Sequence, residues 1–363
     1  MPSSTTSSPD GSLRPDDGAT GVELGDYAPS ESDEALELEA VCPQGTSFRL
    51  VFRRDAFHLR AELFAVHRIV TARRAGRLVG IAAAALKDVV YRGRPARAAF
   101  LFDLRVRPEA RGLGVASRLG DELTGWALAR SDLAYTWVMG DNRAAARVCG
   151  RFGADVGGYA YLVVPSRSLP DAPGPLLAAP AKDVHESARR SSAWDLYANP
   201  FAEGRAAGLA GSWVVRTPDG PAGCSAWSTR GILEERVVSL PAPLRAARAL
   251  LRPLLRTVPS GLRRLPGLPE DGETLLSWII FDLFAPSPAA ARRLVAGVAR
   301  EARERGIDWL HLPHAPGDAR FESIRAQVPR LFAPVVPYRL LVRHADGSRP
   351  EPAGRLYVDV RDL

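Results

Sequence analysis

Two periods of apolar residues alternate along the chain and define its elements. Val66 to Ala72 and Leu78 to Leu86 are strand-like runs on either side of the turn Arg74-Ala75-Gly76-Arg77, which predicts a β-hairpin. A third strand-like run, Arg97 to Val106, follows the turn at Arg92 to Pro95. The period then changes, and one face of a predicted helix collects Val115, Leu119, Leu123, Trp126 and Ala127.

The same reading extends in both directions from this centre. Upstream, Leu36 to Val41 and Ser47 to Phe52 indicate short extended segments, and Phe57 to Phe64 a helical turn or two. Downstream, a strand (Leu133 to Met139), a helix (Asn142 to Phe152) and a closing strand (Tyr159 to Val164) are predicted.

A second half repeats this order. Its predicted elements are Ser212 to Thr217, the turn Pro218-Asp219-Gly220, Ala222 to Ser228, a Leu/Arg helix near Pro243 to Leu255, Leu275 to Phe284, a helix Ala289 to Arg305, Asp308 to Leu312, Phe321 to Val328, Tyr338 to Arg343 and Leu356 to Val360. The strand Trp278 to Leu283 parallels Ala99 to Leu104, and each carries an aspartate, Asp282 and Asp103. We therefore predict a tandem α/β (α+β) chain, 36–165 and 186–363.

The segments outside the two halves differ in composition. Residues 1–35 are rich in Ser, Thr, Gly, Asp and Pro without an apolar segment of signal-peptide type, so we expect a disordered tail. Five prolines interrupt the pattern between Val164 and Asp183, and we expect 166–185 to be a linker. A length of 363 residues suits two domains.

Composition narrows the class of protein. No apolar run is long enough to cross a membrane. Cys42, Cys149 and Cys224 lie far apart without a C-x-x-C pair, so we expect a reducing, cytoplasmic setting and no zinc site. The net charge of +7 comes from arginine, with Lys87 and Lys182 the only lysines, and this usage is typical of a GC-rich bacterium. No nucleic-acid-binding motif is present, so we expect no nucleic-acid partner.

The candidate chemistry lies between the third strand and the following helix, where the chain reads V-R-P-E-A-R-G-L-G-V-A from Val106 to Ala116. Gly112 and Gly114 lack a Cβ, so the backbone can approach a ligand, while the first NH groups of the helix remain unpaired. Such a loop favours an anion. A dinucleotide loop would have a third glycine where Ser117 stands, and no Gly-Lys-Ser/Thr is present for a nucleotide triphosphate.

The pattern Arg111-x-x-Gly114-x-Ala116, with Val106 and Pro108 before it, resembles motif A of the GNAT superfamily of acyl-CoA-dependent N-acyltransferases. Asn142, Ala145 and Gly153 follow at the family's spacing. The resemblance implies a mixed, mostly antiparallel twisted sheet flanked by helices in each half, and one acetyl-CoA site. The cofactor residues it implies are Leu104, Arg105, Val106, Arg111, Gly112, Leu113, Gly114, Val115, Ala116 and Asn142. Asn142 either contacts the cofactor or caps its helix.

The resemblance also implies three catalytic candidates. Asp103 stands where many members carry an acidic base, although Asp282 at the matching place of the second half is equally consistent with a structural role. Cys149 replaces the family's usual Tyr general acid, and a buried apolar role is its alternative. Tyr161 is the nearby residue that we name as a substitute. The second half has Ala-Pro-Ser-Pro in place of the loop, and Pro286 and Pro288 offer no NH to a phosphate, so we expect a degenerate domain.

The sequence thus predicts an N-acetyltransferase that moves an acetyl or short acyl group from acetyl-CoA to a primary amine, in a small molecule or a peptide. Two alternatives stay open: a non-catalytic acyl-CoA-binding regulator, and a tandem acyltransferase that uses another donor such as aminoacyl-tRNA. His311 and His314 are too weak a pair to indicate a metal, and none is expected. The sequence does not identify the acceptor or the oligomeric state.

Overall fold

The computed structural model describes residues 21–45, 49–172, 174–201, 208–242, 244–246, 248–250 and 269–363. The strands are β1 Val22–Asp26, β2 Arg49–Arg53, β3 Val66–Arg74, β4 Arg77–Tyr91, β5 Arg94–Val106, β6 Leu133–Met139, β7 Ala154–Pro165, β8 Leu177–Ala178, β9 Trp194–Asp195, β10 Leu209–Thr217, β11 Gly220–Ser228, β12 Glu234–Ser239, β13 Thr274–Leu275, β14 Ser277–Phe284, β15 Trp309–His314, β16 Val335–His344 and β17 Arg355–Leu356. The helices are α1 Ser32–Ala40, α2 Val115–Leu128, α3 Arg143–Cys149, α4 Ala181–Arg190, α5 Pro288–Glu304 and α6 Ala319–Arg325.

Twelve of these strands form one continuous sheet in the order β1-β3-β4-β5-β6-β16-β7-β15-β14-β11-β10-β8. Its neighbours are antiparallel except β5–β6 and β14–β15, which are parallel. The predicted class, a mixed and mostly antiparallel sheet flanked by helices, is confirmed. The two halves do not form separate sheets, because β16 pairs with β6 on one side and β7 on the other.

The opening hairpins follow from two-residue turns. Ala75 and Gly76 have φ of 49° and 78°, and Arg92 and Gly93 have φ of 52° and 73°. Positive φ at both central residues matches the right-handed twist of antiparallel strands, so each turn sets the register of its hairpin. Arg74 accordingly faces Arg77, and Tyr91 faces Arg94.

Helices cover the first half of the sheet on both faces. On one face α2 lies directly on β4, where Gly80 leaves room for Val115 and Leu119: a Cβ at Gly80 would lie 2.6 Å from Val115 Cγ1. On the other face α1 packs into a core that includes Leu38, Phe57, Phe64 and Phe100. The position of α2 therefore determines where the glycine loop that precedes it ends.

Both halves contain the same irregularity. In β5 the pairing with β4 shifts between Ile81 and Ala83, and Asp103 has φ of 54°. In β14 the pairing with β11 shifts between Gly223 and Ser225, and Asp282 has φ of 52°. Each strand therefore has a bulge that turns its aspartate out of the ladder.

Three predictions about local structure need correction. Residues 22–35 are not a disordered tail, because β1 pairs with β3 and α1 begins at Ser32. Leu36 to Ala40 is not extended but belongs to α1, and Val41 is the C-cap residue of this helix. The predicted linker 166–185 contains β8 and the start of α4. Residues 1–20 and most of the predicted Leu/Arg helix near Pro243 to Leu255 lie outside the described residues.

Candidate active site

The glycine loop has the geometry of an anion site. Gly112 and Gly114 have φ of 85° and 76°, and a Cβ on either would meet nothing within 4 Å. Gly114 is the N-cap of α2, and no side chain caps this helix within the described residues. The first NH groups of α2 therefore face an open, exposed loop at the positive end of the helix. Arg111 is exposed beside it, with its Nε 3.4 Å from the carbonyl oxygen of Val106.

A gap opens in the sheet directly before this loop. β5 and β6 pair only from Ala98 to Phe100 with Leu133 to Tyr135. On its other edge β6 pairs with β16 along its whole length. Beyond Tyr135 the edge of β6 that faces β5 is therefore open, and Leu101–Val106 retain a strand partner only on the β4 side in the described ranges. The predicted contact residues Leu104, Arg105 and Val106 thus line an open strand edge, which suits a ligand with amide groups in an extended chain.

Asp103 lies at the bulge in a buried ion-pair cluster. Its two carboxylate oxygens accept hydrogen bonds from Arg54 Nη1 and Arg60 Nη1, each at 2.8 Å, and Arg54 also binds Glu39. Arg105 Nη2 lies 3.8 Å from Asp103 Oδ1. Burial favours the neutral acid, but the guanidinium charges outweigh it and hold the pKa of Asp103 well below its usual range. This carboxylate is a weak proton acceptor, which argues against the predicted base.

A second buried cluster joins residues 359–362 to β4 and β6. Lys87 Nζ donates to Asp359 at 2.9 Å and to Asp362 at 2.6 Å. Tyr135, at the apex of the gap, donates to the other oxygen of Asp362 at 2.6 Å. Burial raises the pKa of Asp362, so of these two buried carboxylates Asp362 is the better proton acceptor. Arg60 Nη2, which donates to the Asp362 carbonyl oxygen at 2.9 Å, links the two clusters.

The remaining predicted residues lie at separate places. Asn142 is the N-cap of α3, and its side chain accepts from Ala145 N at 3.0 Å, so it caps the helix. Cys149, the last residue of α3, is partly exposed, and burial raises its pKa to about 11. Tyr161 is buried on β7, and β16 separates that strand from β6. Two strand spacings, about 10 Å, therefore lie between Tyr161 and the edge of the gap.

Sequence reasoning missed a row of rings that crosses the sheet on the α1 side. The ring centroids of Trp137 and Tyr159 are 4.6 Å apart, those of Tyr159 and Tyr338 5.0 Å, and those of Tyr161 and His311 6.0 Å. These residues come from β6, β7, β16 and β15. No local signal could have grouped them, since their proximity depends on the insertion of β16.

The described connection from β14 to α5 contains no comparable glycine loop. Ser287 caps α5 by accepting from Ala290 N at 3.1 Å, and it also donates to Asp219. Its buried aspartate, Asp282, contacts His185 Nδ1 at 2.9 Å and accepts from Tyr357 at 2.7 Å. The Ala290 NH at the start of α5 is thus already paired with a side chain.

Two further searches of the described residues were negative. No group of three or more His, Cys, Asp and Glu side chains is placed to hold a metal ion there. No helix in the described part of the chain is long and apolar enough to span a membrane.

Comparisons with known proteins agree with this geometry. The sequence model of the Acetyltransferase (GNAT) family matches residues 33–154, from α1 to the start of β7. A search of curated proteins found no match. A crystal structure of Saccharomyces cerevisiae N-myristoyltransferase with bound myristoyl-CoA is 11% identical, with 94% of this chain and 90% of that chain covered and a TM-score of 0.58. A second crystal structure of the yeast protein is 12% identical, with 92% and 80% covered and a TM-score of 0.58.

A GCN5-related N-acetyltransferase from Anabaena variabilis is 14% identical, with 89% and 73% covered and a TM-score of 0.48. The resemblance predicted from the glycine loop is confirmed over residues 33–154. The chain therefore shares the fold of the yeast N-myristoyltransferase over nearly its whole length, and its first half matches the GNAT acetyltransferase family.

Proposed function

We propose that this protein is an N-acyltransferase that moves an acetyl or other short acyl group from acetyl-CoA to a primary amine. The observation that carries the proposal is the continuity of the gap between β5 and β6 with the uncapped N-terminus of α2. An acyl-CoA has an extended amide-containing arm that ends in a pyrophosphate, and this site offers an open strand edge that leads to an anion-binding loop.

The donor contacts follow from this arrangement. The NH groups of Gly112, Gly114, Val115 and Ala116 surround the pyrophosphate, and Arg111 contributes charge at the rim. Leu113 shapes the loop, because its NH donates to the Ala110 carbonyl oxygen at 3.4 Å. The backbone of Leu104, Arg105 and Val106 pairs with the pantetheine amides, with the Val106 NH directed at the thioester carbonyl. A fixed NH at that oxygen stabilises the negative charge that develops during attack.

Proton transfer uses the cluster at the apex of the gap. The attacking amine gives a proton to the Tyr135 hydroxyl oxygen while Tyr135 passes its own proton to Asp362, so the relay leaves the tyrosine neutral. Lys87 holds Asp362 in place. Asp103 serves to position Arg60, which reaches the Asp362 carbonyl.

Cys149 is our candidate for the acid that protonates the leaving thiolate. Because its pKa is about 11, the thiol keeps its proton throughout the neutral range. We expect Cys149→Ala to lower kcat by about 100-fold and Cys149→Tyr to restore most of it, since general acids contribute roughly 10²–10⁴-fold. Equal kcat in Cys149→Ala and the parent would assign the proton to solvent instead.

The second half is proposed to be a degenerate copy of the first. Its helix N-terminus is capped by Ser287, and its strands contribute one wall of the acceptor cleft through β15 and β16. One donor site per chain follows from this assignment.

Calorimetric titration with acetyl-CoA, followed by a free-thiol release assay over a panel of amines, tests the proposal. We expect one bound donor per chain and thiol release that depends on the amine. Binding without release on any amine would favour an acyl-CoA sensor. If longer acyl-CoA thioesters bind and acetyl-CoA does not, the donor carries a longer acyl group than acetyl. The fold assignment is unaffected by that result.

A further inference from the structure

Glu235 on β12 is a largely buried carboxylate without an arginine or lysine partner among the described residues. Its side chain is 22% exposed, and the closest basic group is His311 Nε2 at 3.7 Å. The buried carboxylates Glu39, Asp103 and Asp359 contact arginine or lysine, and Asp282 has His185 and Tyr357 within hydrogen-bond distance. An ionised buried group requires a compensating charge, and Glu235 differs from these carboxylates because its nearest basic group lies beyond hydrogen-bond distance.

His311, the neighbour of Glu235, supplies a second observation. Its side chain is 9% exposed, and its Nε2 has no hydrogen-bond partner among the described residues, although a buried polar atom ordinarily has one. This nitrogen is directed at the same place as the Glu235 carboxylate. At 3.7 Å the two groups lie within ion-pair range of each other but beyond hydrogen-bond distance, so neither completes the hydrogen bonds of the other.

Aromatic rings border this position. Tyr161 lies edge-to-face with His311, and the Tyr161 and Tyr338 centroids are 5.4 Å apart. Burial raises the pKa of both tyrosines, and the negative charge of Glu235 raises it further. Tyr338 and Glu235 are partly exposed, which gives access from solvent.

We propose that Glu235, His311, Tyr161 and Tyr338 form a subsite for an ammonium group on the acceptor, separate from the amine that is acylated. A carboxylate beside tyrosine rings binds an organic cation through its charge and through cation–π contact. In the tautomer without a proton on Nε2, His311 accepts a further hydrogen bond from the ammonium group. This inference rests on the proposed function for the position of the reacting amine.

The distance between the site of the reacting amine and the ammonium subsite determines the length of the acceptor. His311 is on β15, and β7 and β16 lie between that strand and β6, where the gap opens. Three strand spacings amount to about 14 Å. The acceptor is therefore an elongated molecule with a reacting primary amine at one end and a second positive charge about 10–15 Å away, as in a long diamine.

A matched amine series tests this inference by binding alone. α,ω-Diaminoalkanes from butane to dodecane and alkylamines of equal carbon count are titrated calorimetrically onto the full chain saturated with coenzyme A. We expect the longer diamines to bind about 10- to 100-fold more tightly than their monoamine partners, the range for a hydrogen bond to a charged group. Equal affinity for each diamine and its monoamine partner would overturn the subsite.

The variant Glu235→Gln keeps the shape of the side chain and removes its charge, so we expect it to erase the diamine preference. Glu234→Gln is the control, since it carries the same change at the next position, on the opposite face of β12. His311→Phe, which removes the nitrogen and keeps a ring, is the second variant if Glu235→Gln does not fold. A diamine preference that survives in Glu235→Gln would contradict the assignment.

The thiol-release assay separates the two proposals. If diamines bind more tightly than monoamines but no amine is turned over, the subsite proposal is supported and the transferase proposal is refuted. Turnover of monoamines and diamines at equal kcat/KM, with equal binding, would keep the transferase and remove the subsite.

Discussion

At the scale of single residues, Gly114 combines a positive φ with open space in front of it. We expect Gly114→Val to reduce acetyl-CoA affinity by more than 100-fold, because the branched side chain strains the backbone and fills the space for the pyrophosphate. Calorimetric titration measures the effect.

Gly76→Val is the matched control, because Gly76 has φ of 78° and equally open surroundings in the β3–β4 turn. The two variants carry similar backbone strain, so a loss of affinity in Gly76→Val as large as that in Gly114→Val would show that strain alone causes it.

Asp103 has a stability effect with a defined dependence on pH. Its pKa is lowered in the folded state, so its contribution to stability is present above the unfolded pKa of about 4 and is lost as the pH falls toward the folded value. We expect Asp103→Asn to lower the free energy of unfolding at pH 7 by about 3 kcal/mol or more, because Arg60 loses its buried partner.

Urea unfolding at pH 7 and pH 3 measures this, and the difference between wild type and Asp103→Asn should be smaller at pH 3. Asp26→Asn, which removes an exposed partner of Arg68, should change stability by about 1 kcal/mol or less. A mutant that is equally destabilised at both pH values would refute the ion-pair explanation.

At the scale of elements, the loop depends on how closely α2 approaches β4. A methyl group at Gly80 would lie 2.6 Å from Val115 Cγ1 and 3.0 Å from Leu119 Cδ1, so Gly80→Ala must displace the first turn of α2. We expect a loss of about 1–3 kcal/mol in stability and weaker acetyl-CoA binding.

Thermal unfolding and calorimetry measure the two effects. Gly25→Ala on β1 is the control, since its nearest contact would be an ordinary 3.8 Å to Thr71 Oγ1. Full donor affinity in Gly80→Ala would show that the loop is placed independently of α2.

Elements with local determinants were predictable from the sequence. The β3–β4 hairpin could be predicted, because its alternating apolar and polar residues and its turn residues lie within a few positions of one another. The helix α1 could not be predicted in this way: Leu36-Glu37-Leu38-Glu39 alternates like a strand, yet Ala35, Leu38 and Glu39 face the core at helical spacing. The glycine loop was found for the same local reason, whereas Arg54, Lys87 and Glu235 reach the site only through pairings distant in the chain.

At the scale of the whole molecule, β16 joins the halves. Leu340 is fully buried on β16, opposite Trp137 on β6 and Gly157 on β7. We expect Leu340→Ala to cost about 2–5 kcal/mol and to lower the opening free energies of β4 and β14 together.

Hydrogen exchange with mass spectrometry measures both strands in one experiment. Leu177→Ala, at a position 44% exposed, is the control and should alter neither. Reduced protection in β14 alone would show that the halves unfold independently.

The insertion of β16 between β6 and β7 also has a consequence for protein synthesis. β6 and β7 leave the ribosome long before Val335, so each has an unpaired edge during the intervening translation. Exposed strand edges are where nascent chains associate with one another. High expression, which brings many nascent chains together, is therefore the condition under which this chain is most prone to aggregate. Lower expression, or a chaperone bound to the nascent chain until β16 is made, should improve its yield of native protein.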